Sequence, residues 1–327
     1  MIPGVEHRMG TMSQNLRVSI GICAYNEEKN IGRLIESLLN QPVGNHELTE
    51  IVVVASGCTD ETAPVVQTWC DKNRKVKLIV EPARNGKAAA INKLLRAIKG
   101  DVLVHVSADL FLSQDVLQPL LDYFNDPSVG GVSGRQTPLN GGRFMDKIDS
   151  VIWGLHDETQ RYYNHLGGIG HLGGDLFAIR RGICDHVPED IVNDDAFMGV
   201  ECKRKGYGIR FEDKVTVLFQ GPRNILDLLV QRRRVVYGHL KVKRETGIYP
   251  SVLEMSPLKD KITILRRWIQ KNRRYFLHFV AACLLEAYAN ILARWDMLKK
   301  DNPHKIWKVA TTTKIYRSGK TLSNSSS

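Results

Sequence analysis

From Leu16 to Asp109 short apolar runs alternate with helical patterns, and this alternation constrains the fold more than any other feature of the chain. Leu16 to Cys23, Glu50 to Ala55 and Val76 to Glu81 are strand-like, and the stretch from Asp101 to Ser113, DVLVHVSADLFLS, carries a fourth run. Between them Ile31, Leu34, Ile35, Leu38 and Leu39 recur at helical spacing and stop before Pro42. A second helical pattern opens at SGCTDET and runs through Trp69, with Pro64 in its first turn, where a missing N–H leaves no bond unmade. The third is AAAINKLLRAI, after Asn85-Gly86-Lys87. Strands joined through helices pair in parallel, because a parallel connection needs a long crossover. Val102, Leu103, Val104 and Val106 lack polar alternation, the pattern of a strand covered on both faces.

That fourth run stops at Ser107-Ala108-Asp109. In open α/β sheets ligands bind beyond the carboxyl ends of the strands, so Asp109 either faces a cleft or caps the next turn. A divalent cation bridging two phosphates needs oxygen ligands and takes only one or two carboxylates from the protein. The turns Tyr25-Asn26-Glu27, Ser56-Gly57-Cys58 and Arg84-Asn85-Gly86 would converge on one nucleotide-sized cleft, with helix N-termini offering amides to phosphate. Taken singly, each is equally an ordinary turn. No GxGxxG follows the first strand and no GxxxxGK[ST] occurs, which disfavours a dinucleotide dehydrogenase or a P-loop NTPase.

Composition bears on compartment and partners. With 327 residues, 43% hydrophobic and 25% charged, the chain suits one large domain with an appendage. Six cysteines, at 23, 58, 70, 184, 202 and 283, form no CxxC pair, which argues for reduced thiols and against zinc. Residues 1–15 lack the apolar core of a secretory signal and read as a loose tail with alternative starts at Met9 and Met12, so the protein is expected to stay in the cytoplasm. The net charge of +11 admits nucleic acid, an anionic membrane or phosphorylated substrates. Arg266, Arg267, Lys271, Arg273 and Arg274 directly precede YFLHFVAACLLEAYANILA, an arrangement suited to a membrane surface, and no nucleic-acid recognition motif is present. That apolar stretch, Tyr275 to Ala293, approaches the about 20 residues of a bilayer span. His278, Glu286 and Asn290 interrupt it with one polar stripe, so an interfacial helix, a span or oligomer-buried helix, and a soluble packing helix all remain open. The ending RSGKTLSNSSS reads as disordered.

VSIGICAYNEEKNIGRLIESLLNQ, EIVVVASGCTDET, the Asn85-Gly86-Lys87 loop and HVSADL resemble, in this order, the N-terminal motifs of family 2 glycosyltransferases, and the resemblance runs from about Arg17 to about His239. It implies the GT-A fold: an α/β, Rossmann-like architecture with a mostly parallel central sheet flanked by helices, here followed by a C-terminal helical, membrane-associating appendage. By that resemblance Ala24, Tyr25, Asn26 and Glu27 line the base and ribose. Ser56, Asn85, Lys87, Ser107 and Ala108 join the donor site, and Asp109 is the ligand of a divalent metal, Mn²⁺ or Mg²⁺. Two departures stand out. Ala55-Ser56 replaces the family's usual aspartate pair, which leaves the base unassigned, and Ser107-Ala108-Asp109 replaces DxD, which implies a metal site richer in water.

The second half supplies the expected chemistry. A strand is expected from Val129 to Gln136, then an amphipathic helix carrying Ile148, Val151, Ile152 and Leu155. The glycine-rich HLGGIGHLGGD, His165 to Asp175, implies close backbone approach. By resemblance it lies near the acceptor, with His171, Gly174 and Asp175 as contacts, although a structural hydrogen bond fits each polar side chain equally well. Asn193-Asp194-Asp195 opens a helix and resembles the family's Thr-Glu-Asp motif, which makes Asp195, with Asp194, the candidate catalytic base. A helix N-terminus favours the ionised form, and simple capping is the rival reading. QRRRVVYGHLKVKRE, Gln231 to Glu245, resembles the Gln-x-x-Arg-Trp motif of cellulose, chitin and hyaluronan synthases. Gln231 and Arg234 match and would hold the pyrophosphate through the bidentate guanidinium. Val235 replaces the tryptophan, removing a stacking platform, while Arg232 and Arg233 read as a solvated helix face.

The expected division is a tail over 1–15, a GT-A domain over 16–247, a helical region over 248–310 and a tail over 311–327. Within the domain, 16–112 is the nucleotide-binding half and 113–247 the acceptor half. The resemblance implies an inverting, metal-dependent transferase acting from a nucleotide-diphosphate sugar, UDP favoured, on a lipid-linked or polysaccharide acceptor at the cytoplasmic membrane face. The chain would self-associate or meet a partner through its C-terminal helix. The competing expectation is a non-catalytic GT-A module that binds nucleotide or glycan beside a true enzyme.

Overall fold

A computed structural model of the chain describes residues 15–139, 142–166, 171–299 and 301–306. The expected tails, Asn15 apart, and Gly167 to Gly170 of the glycine-rich stretch lie outside the described residues. The strands are β1 (Arg17–Ala24), β2 (Glu47–Ser56), β3 (Val76–Glu81), β4 (Val102–Val106), β5 (Phe111–Leu112), β6 (Val129–Pro138), β7 (Leu176–Arg180) and β8 (Gly208–Phe219). The helices are α1 (Ile31–Leu39), α2 (Thr62–Lys72), α3 (Lys87–Ala97), α4 (Leu117–Leu121), α5 (Phe144–His165), α6 (Asp194–Arg204), α7 (Ile225–Thr246), α8 (Leu258–Lys271) and α9 (Phe276–Asp296).

Among the described residues the strands form one sheet in the order β3-β2-β1-β4-β7-β6-β8-β5. β3, β2, β1 and β4 are mutually parallel, as the helical crossovers require. β7 runs antiparallel to both β4 and β6, β8 is parallel to β6, and β5 closes the edge antiparallel to β8. The sheet is thus mixed but mostly parallel, and helices cover both faces. Val18, Ile20, Ile22 and Val53 pack with Ile31, Leu34, Ile35 and Leu38 of α1. Their pleat neighbours Val52, Val54 and Leu103 pack on Ile91 and Leu94 of α3 and on α6. Each such side chain contributes roughly 1.5–3 kcal/mol when fully buried. All five residues of β4 are buried, matching its unbroken aliphatic run.

A further helical layer lies beside the sheet. Ile148, Val151, Ile152 and Leu155 of α5 pack against Leu228 of α7, Trp268 of α8, and Phe279, Ala282 and Leu285 of α9. Here one expectation is corrected: Arg232 and Arg233 are not a solvated face. Arg232 is 14% exposed and pairs with Glu286 of α9 and, at 2.9 Å, with Glu254. Arg233 binds both carboxylate oxygens of Asp296, each at 2.6 Å. Burial alone would raise the Asp296 carboxyl, but Arg233, Lys299 and His304 hold it well below the ordinary range. A desolvated arginine without a partner is strongly destabilising, so these pairs fix how α9 lies on α7. The opposite face of α9 exposes Leu277, Leu284, Tyr288, Ile291 and Trp295, and Leu298 just beyond the helix is exposed as well. Among the described residues the 24-residue segment Arg273–Asp296 is long and apolar enough to cross a membrane by length and composition.

Candidate active site

The carboxyl ends of β1, β2 and β4 open into a cavity of about 880 Å³. Ala24, Tyr25, Glu27, Ser56, Lys87, Ser107, Ala108 and Asp109 all line it, and so do Gln231 and Arg234. Asn26 and Asn85, expected at the donor, are not among the lining residues. Asn26 holds φ +54°, and its amide exchanges hydrogen bonds of 3.0 and 2.9 Å with Thr59, tying the loop after β1 to the loop after β2. Asn85 donates to the Ala83 carbonyl at 3.4 Å. The Arg84 guanidinium lies 4.0 Å over the Tyr25 ring, a cation–π contact that no motif announces. The buried Ser56 hydroxyl has no protein partner among the described residues, and it stands where a ligand polar group would satisfy it.

The start of α6 supplies the opposite wall. Lys87 at the N-terminus of α3 reaches Asp194 at 3.0 Å, and that carboxylate is only 2% exposed. The burial that would lower the Lys87 pKa is outweighed by Asp194 and Asp195, and its ammonium is held above the usual value. Asp194 is therefore half of a buried ion pair. Asp195 lines the cavity with its Oδ2 3.8 Å from Nε2 of His171. Burial, reinforced by the neighbouring Asp194, pushes the Asp195 carboxyl up to about 7. Burial keeps His171 a neutral imidazole, with His239 and His156 adding to the effect. Arg234 is brought down to about 10 by burial, against the pull of Asp175, Asp195 and Asp194. Asp175 accepts from the Ser107 hydroxyl at 3.1 Å, while its carbonyl accepts from the Ser107 N–H at 2.8 Å, tying the end of β4 to the approach of β7.

Two glycines permit this geometry. A Cβ on Gly238 of α7 would stand 2.2 Å from Oδ1 of Asn193, whose amide donates to the Val235 carbonyl at 2.9 Å. Close contact between α7 and the start of α6 thus brings Arg234 toward Asp195. A Cβ on Gly174 would lie 2.9 Å from Oδ2 of Asp195. Gly174→Ala is therefore expected to displace the Asp195 carboxylate and, with Asp195 as the expected base, to lower kcat about 10²-fold with donor KM unchanged. Initial rates across donor concentration check this, and an unchanged kcat would refute it. Sequence reasoning placed Arg84 in a cleft-facing turn without giving it a role and missed Gln136, His156 and His239, and all four line the cavity. They come from a loop and from β6, α5 and α7, and no local pattern links them.

Among the described residues no cluster of three His, Cys, Asp or Glu side chains is placed to hold a metal. The oxygens present, Asp109 with Asp175 behind Ser107, fit a hard cation that draws its remaining ligands from a diphosphate and water. Cysteine and histidine ligands are not required for such an ion.

The mixed sheet and the cleft at its carboxyl edge define the scaffold of a GT-A glycosyltransferase. The family model for glycosyl transferase family 2 matches residues 19–187, more than half of the chain. The chain belongs to that family. It is 25% identical over 230 residues to the beta-monoglucosyldiacylglycerol synthase of a Synechocystis species, covering 68% of this chain and 47% of that protein. It is 23% identical over 222 residues to the poly-beta-1,6-N-acetyl-D-glucosamine synthase of Staphylococcus aureus, covering 66% and 53%. The chain thus spans about half the length of the curated relatives it matches. Among solved structures, the mannosyltransferase PcManGT from Pyrobaculum calidifontis, in complex with GDP-Man and Mn²⁺, superposes with a TM-score of 0.57 at 23% identity, over 92% of this chain and 85% of that one. The glucosyl-3-phosphoglycerate synthase of Mycobacterium tuberculosis, with Mn²⁺, UDP and phosphoglyceric acid, gives 0.50 at 19% identity over 69% and 78%. These likenesses establish the fold.

Proposed function

We propose that the protein is an inverting, metal-dependent glycosyltransferase that moves a sugar from a nucleoside-diphosphate donor to a lipid-linked or polysaccharide acceptor at the cytoplasmic membrane face. The observation that carries this reading is one cavity holding both the strand-end group Ser107-Ala108-Asp109 and the buried carboxylate Asp195. On this reading residues 16–112 form the donor half, 113–247 the acceptor half and 248–310 the membrane-side helices. The exposed Arg266, Arg267, Arg273 and Arg274, with the apolar outer face of α9, support placement against anionic lipid. The diacylglycerol-sugar and polysaccharide synthases among the relatives support the two acceptor classes.

Asp195 accepts the proton of the acceptor hydroxyl as that oxygen bonds to the anomeric carbon and the bond to the diphosphate breaks. The electron pair leaves with the nucleoside diphosphate, and one displacement inverts the anomeric centre. Arg234, planar and charged at any working pH, faces the developing negative charge, while Lys87 keeps Asp194 neutralised beside the base. Neutral His171 borders Asp195 without competing for the proton at neutral pH. Asp109 would hold the divalent metal, which neutralises charge on the leaving diphosphate when bound. Ser56, Tyr25 and Arg84 would meet the nucleoside.

A thermal-shift screen against UDP, GDP, CDP and dTDP, each with and without Mn²⁺, tests the donor and metal together. A nucleotide at a hundred times its Kd stabilises by about 2.7 kcal/mol. One nucleotide is expected to shift the melt only with metal, and Asp109→Ala to remove that shift. No shift under any condition would reduce the protein to the fold without the activity.

A further inference from the structure

The cavity does not end at Asp195. It continues between the helices, where Ile152 and Leu155 of α5, Leu253, Leu265 of α8 and Ala282 of α9 line it. These five side chains are aliphatic, and Trp153, His156 and Phe219 also line the cavity. The five aliphatic side chains give this part of the cavity hydrocarbon surface, on which an alkyl chain gains about 25 cal/mol for each Å² buried. Arg232 is paired with Glu254 and Glu286, and the Lys261 ammonium donates to the Glu254 carbonyl at 2.9 Å, so both cations have partners within the protein. Val230 of α7 and Cys283 of α9 line the cavity and are solvent-exposed, and they mark where this branch reaches the surface between α7 and α9. One helical turn away on the same faces stand the exposed Leu226 and Val280.

We infer that this branch is a binding chamber for the proximal hydrocarbon of a lipid acceptor, and that the chain leaves it between α7 and α9 at Val230 and Cys283. The inference rests on the glycosyltransferase reading and narrows it, choosing a lipid over a free polysaccharide. The acceptor headgroup sits at Asp195 and its first methylenes pass among Ile152, Leu155, Leu265 and Ala282. The remaining chain emerges over Leu226 and Val280, apolar surface that favours a membrane-facing exit. α9 is then a wall of the acceptor site, latched in place by Glu286 and Asp296 on the α7 arginines.

Alkyl β-glucosides of increasing chain length, used below their micellar concentrations, test the chamber. The readout is the rate of maleimide alkylation at Cys283, followed by peptide mapping, with Cys70 on α2 as the internal control. Octyl glucoside is expected to slow Cys283 alkylation at least tenfold at a concentration where methyl glucoside has no effect. Affinity should rise about fourfold for each methylene buried, and Cys70 should be unaffected. Ala282→Phe fills the chamber and should abolish protection while leaving the nucleotide-dependent thermal shift intact. Leu265→Trp, on the opposing helix, serves the same purpose if the first variant does not fold. Equal protection by methyl and octyl glucosides, or protection that survives both substitutions, would overturn the chamber. Loss of the nucleotide shift in the unaltered protein would instead overturn the parent reading, so the two failures are separable.

Discussion

Asp195→Asn is expected to turn over 10²- to 10⁴-fold more slowly than the unaltered protein, the range a positioned general base supplies, and to be the more stable of the two above pH 7. Both effects have one cause. Burial and the nearby Asp194 raise the Asp195 carboxyl to about 7, so the folded protein holds this proton more tightly than the unfolded chain, where an aspartate titrates near about 3.9. Between those values the folded state binds the extra proton, and stability falls as pH rises. Above pH 7 the ionised carboxylate is present in full, together with its desolvation penalty, and it is also the form that accepts a proton. Asparagine removes the charge and, with it, the proposed base. The rate profile of the unaltered enzyme should therefore show an acidic limb near pH 7. Urea melts should show the Asn variant ahead at pH 8, with its advantage disappearing toward pH 4. A variant that retains turnover, or is less stable at pH 8, would remove Asp195 as the base.

Lys87→Met should cause the largest loss of stability among the site substitutions. It strands Asp194 as an unpaired, nearly inaccessible carboxylate, and breaking a buried pair from one side costs about 3–5 kcal/mol. Lys87 also lowers the Asp195 carboxyl, so its loss should move the acidic limb of the rate profile upward as well as lowering the urea midpoint. Adding Asp194→Asn to Lys87→Met should recover most of the stability, because the stranded charge is gone. If the double variant is as unstable as the single, the pair is not what holds α3 to α6. The two substitutions touch one network, so their effects should not add.

Much of the architecture of residues 16–112 is legible in the sequence. β1 to β4 and α1 to α3 lie close to where the apolar periods place them, because those periods repeat within a few residues and reflect which face each side chain buries. The motif order also led to Asp109, Asp195, Gln231 and Arg234, which line one cavity. β8 has no clear strand pattern in the sequence, since Glu212, Asp213 and Lys214 interrupt its alternation where the register with β6 shifts. Asn26 was placed at the ligand although its amide is committed to Thr59, a residue on another loop.

The arginine run shows the boundary most clearly. Arg232, Arg233 and Arg234 are consecutive, chemically identical and all line the cavity, yet Arg232 meets Glu286 at a separation of 54 residues and Arg233 meets Asp296 at 63, while Arg234 lies in the field of Asp175, Asp195 and Asp194. The sequence by itself determined the alternating α/β scaffold, the family and the order of the polar groups along the sheet edge, since these depend on local period and on motif. Only the tertiary structure decided which charges are buried and with whom, that Lys87 pairs with Asp194 while Asp195 stands beside His171, and that α9 walls the same cavity. A charge is stabilised or penalised by whatever folding brings within a few ångströms of it, and that neighbour is set by packing between distant segments.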